Sequence, residues 1–193
     1  MPAFKALVYD DEEFAGVDAA NQDLSNREFR DCIFEDCDFS GSKLSKAQFS
    51  GCDLKRCNFS NVKLYDTKLS EVDFIECKLA GVDFRDCNQL LFSINILRSK
   101  AAYCIFHGLD LSGSRLSKSE LTDCIFEGAR LQRADFRESD LRGADFNRAN
   151  LESADFRGAV NYQINPQESR VAKAKFSYPQ VLSLLREFGV VVE

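Results

Sequence analysis

The sequence predicts an all-β chain wound into a regular coil, and three observations predict it. Phe or Leu recurs every five residues: the fifteen positions from Phe14 to Phe84 and the eleven from Phe106 to Phe156 carry one or the other everywhere except Ala19. All eight cysteines lie two residues before a centre position of this five-residue frame once it is extended past Phe84, in a slot otherwise filled mainly by Ala, Ser, Val or Thr. Nine of the ten glycines lie two residues after one. In extended chain, residues two apart point to the same side, so the small residue and the Phe or Leu after it face inward together while the other three face water. Glycine in a slot that needs positive φ places a turn in every pentapeptide. A chain that turns every five residues with one side always inward must coil. An α-helix is excluded, because a five-residue period spaces successive centres about 140° apart and leaves no apolar stripe.

The pattern is plainest over residues 134–158, which divide into ADFRE, SDLRG, ADFNR, ANLES and ADFRG. On these residues the chain resembles the pentapeptide repeat proteins. The resemblance implies a right-handed quadrilateral β-helix in which four pentapeptides make one square coil of about twenty residues. With coils stacked at about 4.8 Å, residues 12–160 form roughly seven coils and a rod of about 36 Å. The expected core centres are Phe34, Phe39, Phe59, Phe74, Phe84, Phe106, Phe126, Phe136, Phe146 and Phe156. Pro2, Pro166 and Pro179 all fall outside the repeats, where a ladder of backbone hydrogen bonds would not tolerate them.

The chain divides accordingly into an N-terminal cap (1–11), a first array (12–87), a joint (88–103), a second array (104–160) and a C-terminal cap and dimerisation tail (161–193). The joint is required because Phe84 and Phe106 are 22 residues apart, two more than four pentapeptides. Its apolar residues predict that much of it is packed. After Ala159 the pattern stops, and residues 161–177 read as irregular chain. An α-helix is expected next, with Ser177 or Tyr178 near its N-cap, Pro179 in its first turn and Gly189 ending it, followed by a strand over 190–193. An open coil end must be covered. The apolar surface of Val181, Leu184, Leu185, Phe188, Val190 and Val192 also predicts a two-fold interface.

Reactive chemistry is weakly represented. Cys32 with Cys37 and Cys52 with Cys57 are pairs with four intervening residues, wider than the usual zinc-binding pairs. On a square coil Cys32 stacks under Cys52, and Cys37, Cys57 and Cys77 form one interior ladder, so buried reduced thiols are expected and no metal or other cofactor. The only histidine, His107, follows a centre and points outward with no nucleophile beside it. There is no glycine-rich phosphate loop or hydrolase motif, and the reading is not an enzyme.

The N-terminus lacks a basic start, an apolar stretch and a small-residue cleavage site, and no apolar run is long enough to span a bilayer, which predicts a cytoplasmic protein without membrane contact. The net charge of −6 argues against direct nucleic-acid binding, whose affinity comes largely from phosphate neutralisation. On the face of Phe14, Phe34, Leu54 and Phe74, the acids Glu13, Glu35, Asp36, Asp53, Asp73 and Glu76 outnumber Lys55 and Arg56 and mark a candidate acidic stripe.

The tail resembles that of the bacterial subgroup comprising McbG, Qnr and MfpA proteins. That resemblance implies a homodimer through the C-terminal region and a rod that imitates DNA to bind DNA gyrase or topoisomerase IV, protecting it from quinolones or peptide toxins. Residues 1–160 hold 28 acids and 21 bases, a net of −7, against roughly 21 charges on a comparable length of duplex. The alternative is a scaffold protein with a partner of another kind.

Overall fold

The computed structural model describes residues 3–190. It is a parallel β-solenoid of about eight turns with a short helix near its C-terminus. The strands are β1 (Val8–Asp10), β2 (Glu13–Ala15), β3 (Glu28–Arg30), β4 (Ile33–Glu35), β5 (Gln48–Ser50), β6 (Asp53–Lys55), β7 (Lys68–Ser70), β8 (Val72–Ile75), β9 (Ile94–Leu97), β10 (Asp155–Phe156) and β11 (Lys175–Phe176). One face carries the parallel sheet β1-β3-β5-β7, and the next carries β2-β4-β6-β8-β9. Partners are twenty residues apart, as in Phe14 with Phe34 and Phe34 with Leu54, so four pentapeptides close each coil. In the second half most sides of the square shrink to single-residue bridges on the same spacing, such as Glu120 with Asp140 and Ile125 with Asp145.

Each inward centre stacks on its counterpart in the next coil. Phe106 and Phe126 lie with ring centroids 4.9 Å apart and planes 6° from parallel, and Phe126 and Phe146 5.0 Å apart. Every one of the ten expected core phenylalanines is at most 3% exposed. Each such burial contributes about 1.5–3 kcal/mol. The corner residue two after a centre commonly lies in the left-handed region whether or not it is glycine, as at Asp36 (φ 54°), Glu71 (φ 54°) and Arg133 (φ 60°). Corners stack too: a side chain at Gly51 would collide with the carboxylate of Asp31 one coil below.

Pairing extends beyond both ends of the legible repeat. Tyr9 pairs with Phe29 in the same register. Ahead of it, Phe4 is 1% exposed and packs among the rings of Tyr9, Phe14, Phe29, Phe34 and Phe39, closing the first coil. At the other end Asn150 bridges Arg170, and Phe176 pairs with Phe156, so the chain completes a further coil although the sequence pattern fades after Ala159.

The two-residue slip is absorbed at one corner. Lys68 still pairs with Asn88 at a spacing of twenty, whereas Val72 pairs with Ile94 at twenty-two. The extra chain lies between, where Leu90 and Leu91 are 72% and 74% exposed and Leu91 has φ 61°. Packing resumes at once with Ile94 and Ile96, both buried.

The C-terminal helix corrects the expectation of an α-helix. Gln180–Phe188 is a 3-10 helix, with Pro179 at its N-cap rather than inside its first turn, and Gly189 (φ 65°) ends it as expected. No side chain caps its first turn, and tight bonds such as Leu182 N–H to the Pro179 carbonyl at 3.0 Å satisfy the end groups instead. The strand expected over 190–193 falls largely outside the described residues, and Val190 is not in a strand. Among the described residues, no helix is long and apolar enough to cross a membrane.

Candidate interaction surface

With the interior filled by side chains, the outer faces are where a partner would meet this molecule. The residue before each centre is frequently Asp or Asn, and its side chain accepts a hydrogen bond from the backbone two residues on. Asp18 accepts from Ala20, Asp38 from Ser40, Asp110 from Ser112 and Asp145 from Asn147 at 2.8–3.1 Å. These are local turn-forming bonds. Part of the acidity is therefore committed to the corners of the coil.

The six acids of the stripe share the face of β2, β4, β6 and β8, but stacking brings bases to them. Arg56 bonds to Asp36 at 2.8 Å and also contacts Glu35. Lys55 lies 3.3 Å from Asp53, and Arg98 lies 3.0 Å from Glu76. Asp73 receives Arg115 at 2.6 Å and the Asn95 amide at 2.6 Å. Only Glu13 makes no ion pair among the described residues, and it is exposed. Arg98 and Arg115 belong to the coils after the slip, and a 22-residue step from Glu76 to Arg98 was the signal that could have found them. The Arg56 hydrogen bond holds Asp36 below the usual carboxylate range. These pairs are largely solvent-exposed, so water and salt screen most of their attraction and they add little to stability.

Charge is distributed unevenly along the rod. Residues 1–97 hold eighteen acids and eleven bases, a net of −7, while residues 98–193 hold thirteen acids and fourteen bases, a net of +1.

The thiols lie inside. All eight cysteines are buried and unbridged, and their ladder continues in serine. The N–H of Cys57 donates to Cys77 Sγ at 3.3 Å, that of Cys77 to Ser99 Oγ at 2.9 Å, that of Ser99 to Ser119 Oγ at 3.1 Å and that of Ser119 to Ser139 Oγ at 3.1 Å. Each thiol or hydroxyl donates in turn to a carbonyl of the coil below, as Ser139 does to Leu116 at 2.7 Å. Burial pushes Cys52 up to about 12 and raises Cys32 and Cys87 as well, while the hydrogen bond with Cys57 shifts Cys77 downward. Among the described residues no group of three or more His, Cys, Asp or Glu side chains is placed to hold a metal ion. His107 is half exposed and sits 3.3 Å from Glu127.

Of the tail residues expected at a two-fold interface, Val181, Leu184 and Leu185 are half-buried, with Leu184 packed against the core, and Phe188 and Val190 are exposed. Val192 lies outside the described residues.

The family comparison agrees with this geometry. A model described as a pentapeptide repeat region matches residues 27–102, and one for pentapeptide repeats (8 copies) matches residues 104–143 and 124–160. The chain belongs to the pentapeptide repeat family. Among solved structures, this pentapeptide repeat protein is similar to QnrB1, a plasmid-mediated fluoroquinolone resistance protein. A trypsin-treated variant of QnrB1 aligns over 96% of this chain and 90% of its own, with a TM-score of 0.73 and 20% identity. Full-length QnrB1 aligns over 95% and 90% with a TM-score of 0.56 and 22% identity. No curated protein matches the chain in sequence. At these identities the likeness establishes a shared fold.

Proposed function

We propose that this pentapeptide repeat protein is a non-catalytic, dimeric rod that binds a type II DNA topoisomerase, with DNA gyrase as the first candidate, and modulates it. The observation that carries this reading is the end-to-end alignment with a fluoroquinolone resistance protein. The tail resemblance and the net charge of −7 over residues 1–97 support it. The acidic half would enter a basic DNA-binding groove, steered by its charge. Because Asp36, Asp53, Asp73 and Glu76 are already paired with bases, shape supplies more of the recognition than charge density does.

Gyrase supercoiling with and without a quinolone, at increasing protein concentration, tests the proposal directly. A concentration-dependent change in supercoiling or in drug inhibition is expected. No effect on gyrase or topoisomerase IV would leave the scaffold reading, which the pairwise neutralisation of the stripe favours. Reversing Glu35, Asp36, Asp53 and Asp73 together to Lys should make the effect fall sharply while the rod stays folded, since all four point outward, and an unchanged effect would remove the stripe from the mechanism.

A further inference from the structure

Beyond the topoisomerase reading and independently of it, we propose a binding site at the junction of the last coil and the C-terminal helix: the cavity between Arg142, Tyr162 and Arg186 binds a small organic oxyanion, a carboxylate or a phosphate monoester with an apolar body.

The cavity measures about 580 Å³ and lies between the corner at Arg142–Gly143, the chain at Asn161–Gln163 and the helix residues Leu182, Ser183 and Arg186. That volume suits a small ligand. Its wall contains two guanidinium groups and three side-chain amides, those of Asn161, Gln163 and Gln180, and no acid among the described residues. Two further polar groups are unspent. Tyr162 is 2% exposed and its hydroxyl has no hydrogen-bond partner among the described residues, nor has the buried Ser183 hydroxyl. Ser183 lies near enough to offset part of the burial that pushes the Tyr162 phenol up to about 12, but the two do not meet in hydrogen-bonding geometry. A buried hydroxyl left unpaired is destabilising, and a ligand oxygen that reached it would relieve that cost.

The excess of donors selects the ligand's chemistry. Guanidinium groups donate and never accept, and they match carboxylate and phosphate oxygens in a planar fork. Arg142 is loosely held, 3.6 Å from Asp140 with its side chain 73% exposed, and the Asp140 carboxylate is also engaged by the Asn161 amide at 2.8 Å. No ion pair holds Arg186 among the described residues. Pro179, Leu182, Val190 and the Tyr162 ring supply an apolar floor against which a hydrocarbon or aromatic body would pack.

Isothermal titration of the full chain with phenyl phosphate and, separately, with benzoate tests the site. Saturable binding of either probe is expected, weakened about tenfold by Arg142→Gln and again by Arg186→Gln, since each removes one charge-assisted contact. Tyr162→Phe keeps the ring and removes the hydroxyl, so it should weaken binding without lowering the thermal midpoint, which separates a binding role from a packing one. Failure of both probes to bind at millimolar concentration overturns the proposal. Binding that appears only after deletion of residues 191–193 also overturns it, because it assigns the cavity to the chain's own terminal carboxylates.

Discussion

The backbone N–H of Cys77 donates to the hydroxyl of Ser99 at 2.9 Å, across the point where the repeat gains two residues. The interior polar ladder therefore passes the slip unbroken and changes only its chemistry, from thiol below to hydroxyl above. Ser99→Ala would orphan the Cys77 amide in a dry interior and should cost about 1–3 kcal/mol. Ser99→Cys restores an acceptor and should recover most of that loss. Chemical denaturation of the three proteins checks the order, and equal stability of the alanine and serine forms would remove the ladder from the energetics.

The core prediction contrasts a centre with an outward residue that makes no ion pair among the described residues. Phe59 is 3% exposed and packs on Phe39 at 4.6 Å, so Phe59→Ala should cost about 3–5 kcal/mol. Lys63 is exposed, and Lys63→Ala should leave the stability within about 0.5 kcal/mol of the parent. Thermal melts followed by circular dichroism measure both, and similar losses would contradict the inward–outward assignment.

The thiols predict alkaline lability. Burial raises Cys52 to about 12, so the folded chain keeps a proton that the unfolded chain releases above about pH 8.5. The native state then binds more protons, and stability falls as pH rises from about 8.5 toward 12, by up to about 1.4 kcal/mol per pH unit for one such thiol. Below pH 8.5 this contribution is fully present. Cys52→Ala should flatten the fall in midpoint between pH 8 and 10.5, and the rod accepts alanine in such a slot, as buried Ala134 shows two residues before Phe136. A pH-independent midpoint in the parent protein would refute the argument.

The tail predicts a concentration-dependent dimer. Phe188 and Val190 remain half exposed beside the partly buried Val181 and Leu185. Placing a charge there with Phe188→Glu should shift the mass measured by light scattering from two chains to one without unfolding the coils. A wild-type chain that is already monomeric at micromolar concentration would make the helix a cap only.

The repeat was legible because its two inward slots admit few residue types: Phe or Leu at the centre, and a small residue before it. Tyr9, Phe4 and Phe176 occupy centre positions of the same frame, but their neighbours break the pattern, and only pairing and packing place them on the rod. The 3-10 form of Gln180–Phe188 was not legible, because clustered apolar residues followed by a glycine suit a 3-10 helix as well as an α-helix. The stripe was legible as composition, but the meeting of Asp73 with Arg115 depends on coils two levels apart and on the two-residue slip between them. The cavity beside Tyr162 has no sequence signature, because it exists only where the helix leans on the final coil.

A stack in which every level offers the next the same pairing has no inherent length. At the N-terminal end of the described coils the ring of Phe4 is seated in the mouth of the first coil, in the way of any second coil that would dock there. Without that ring the molecule would expose a ready template, and the same backbone grammar that builds one rod would join rods end to end into fibres.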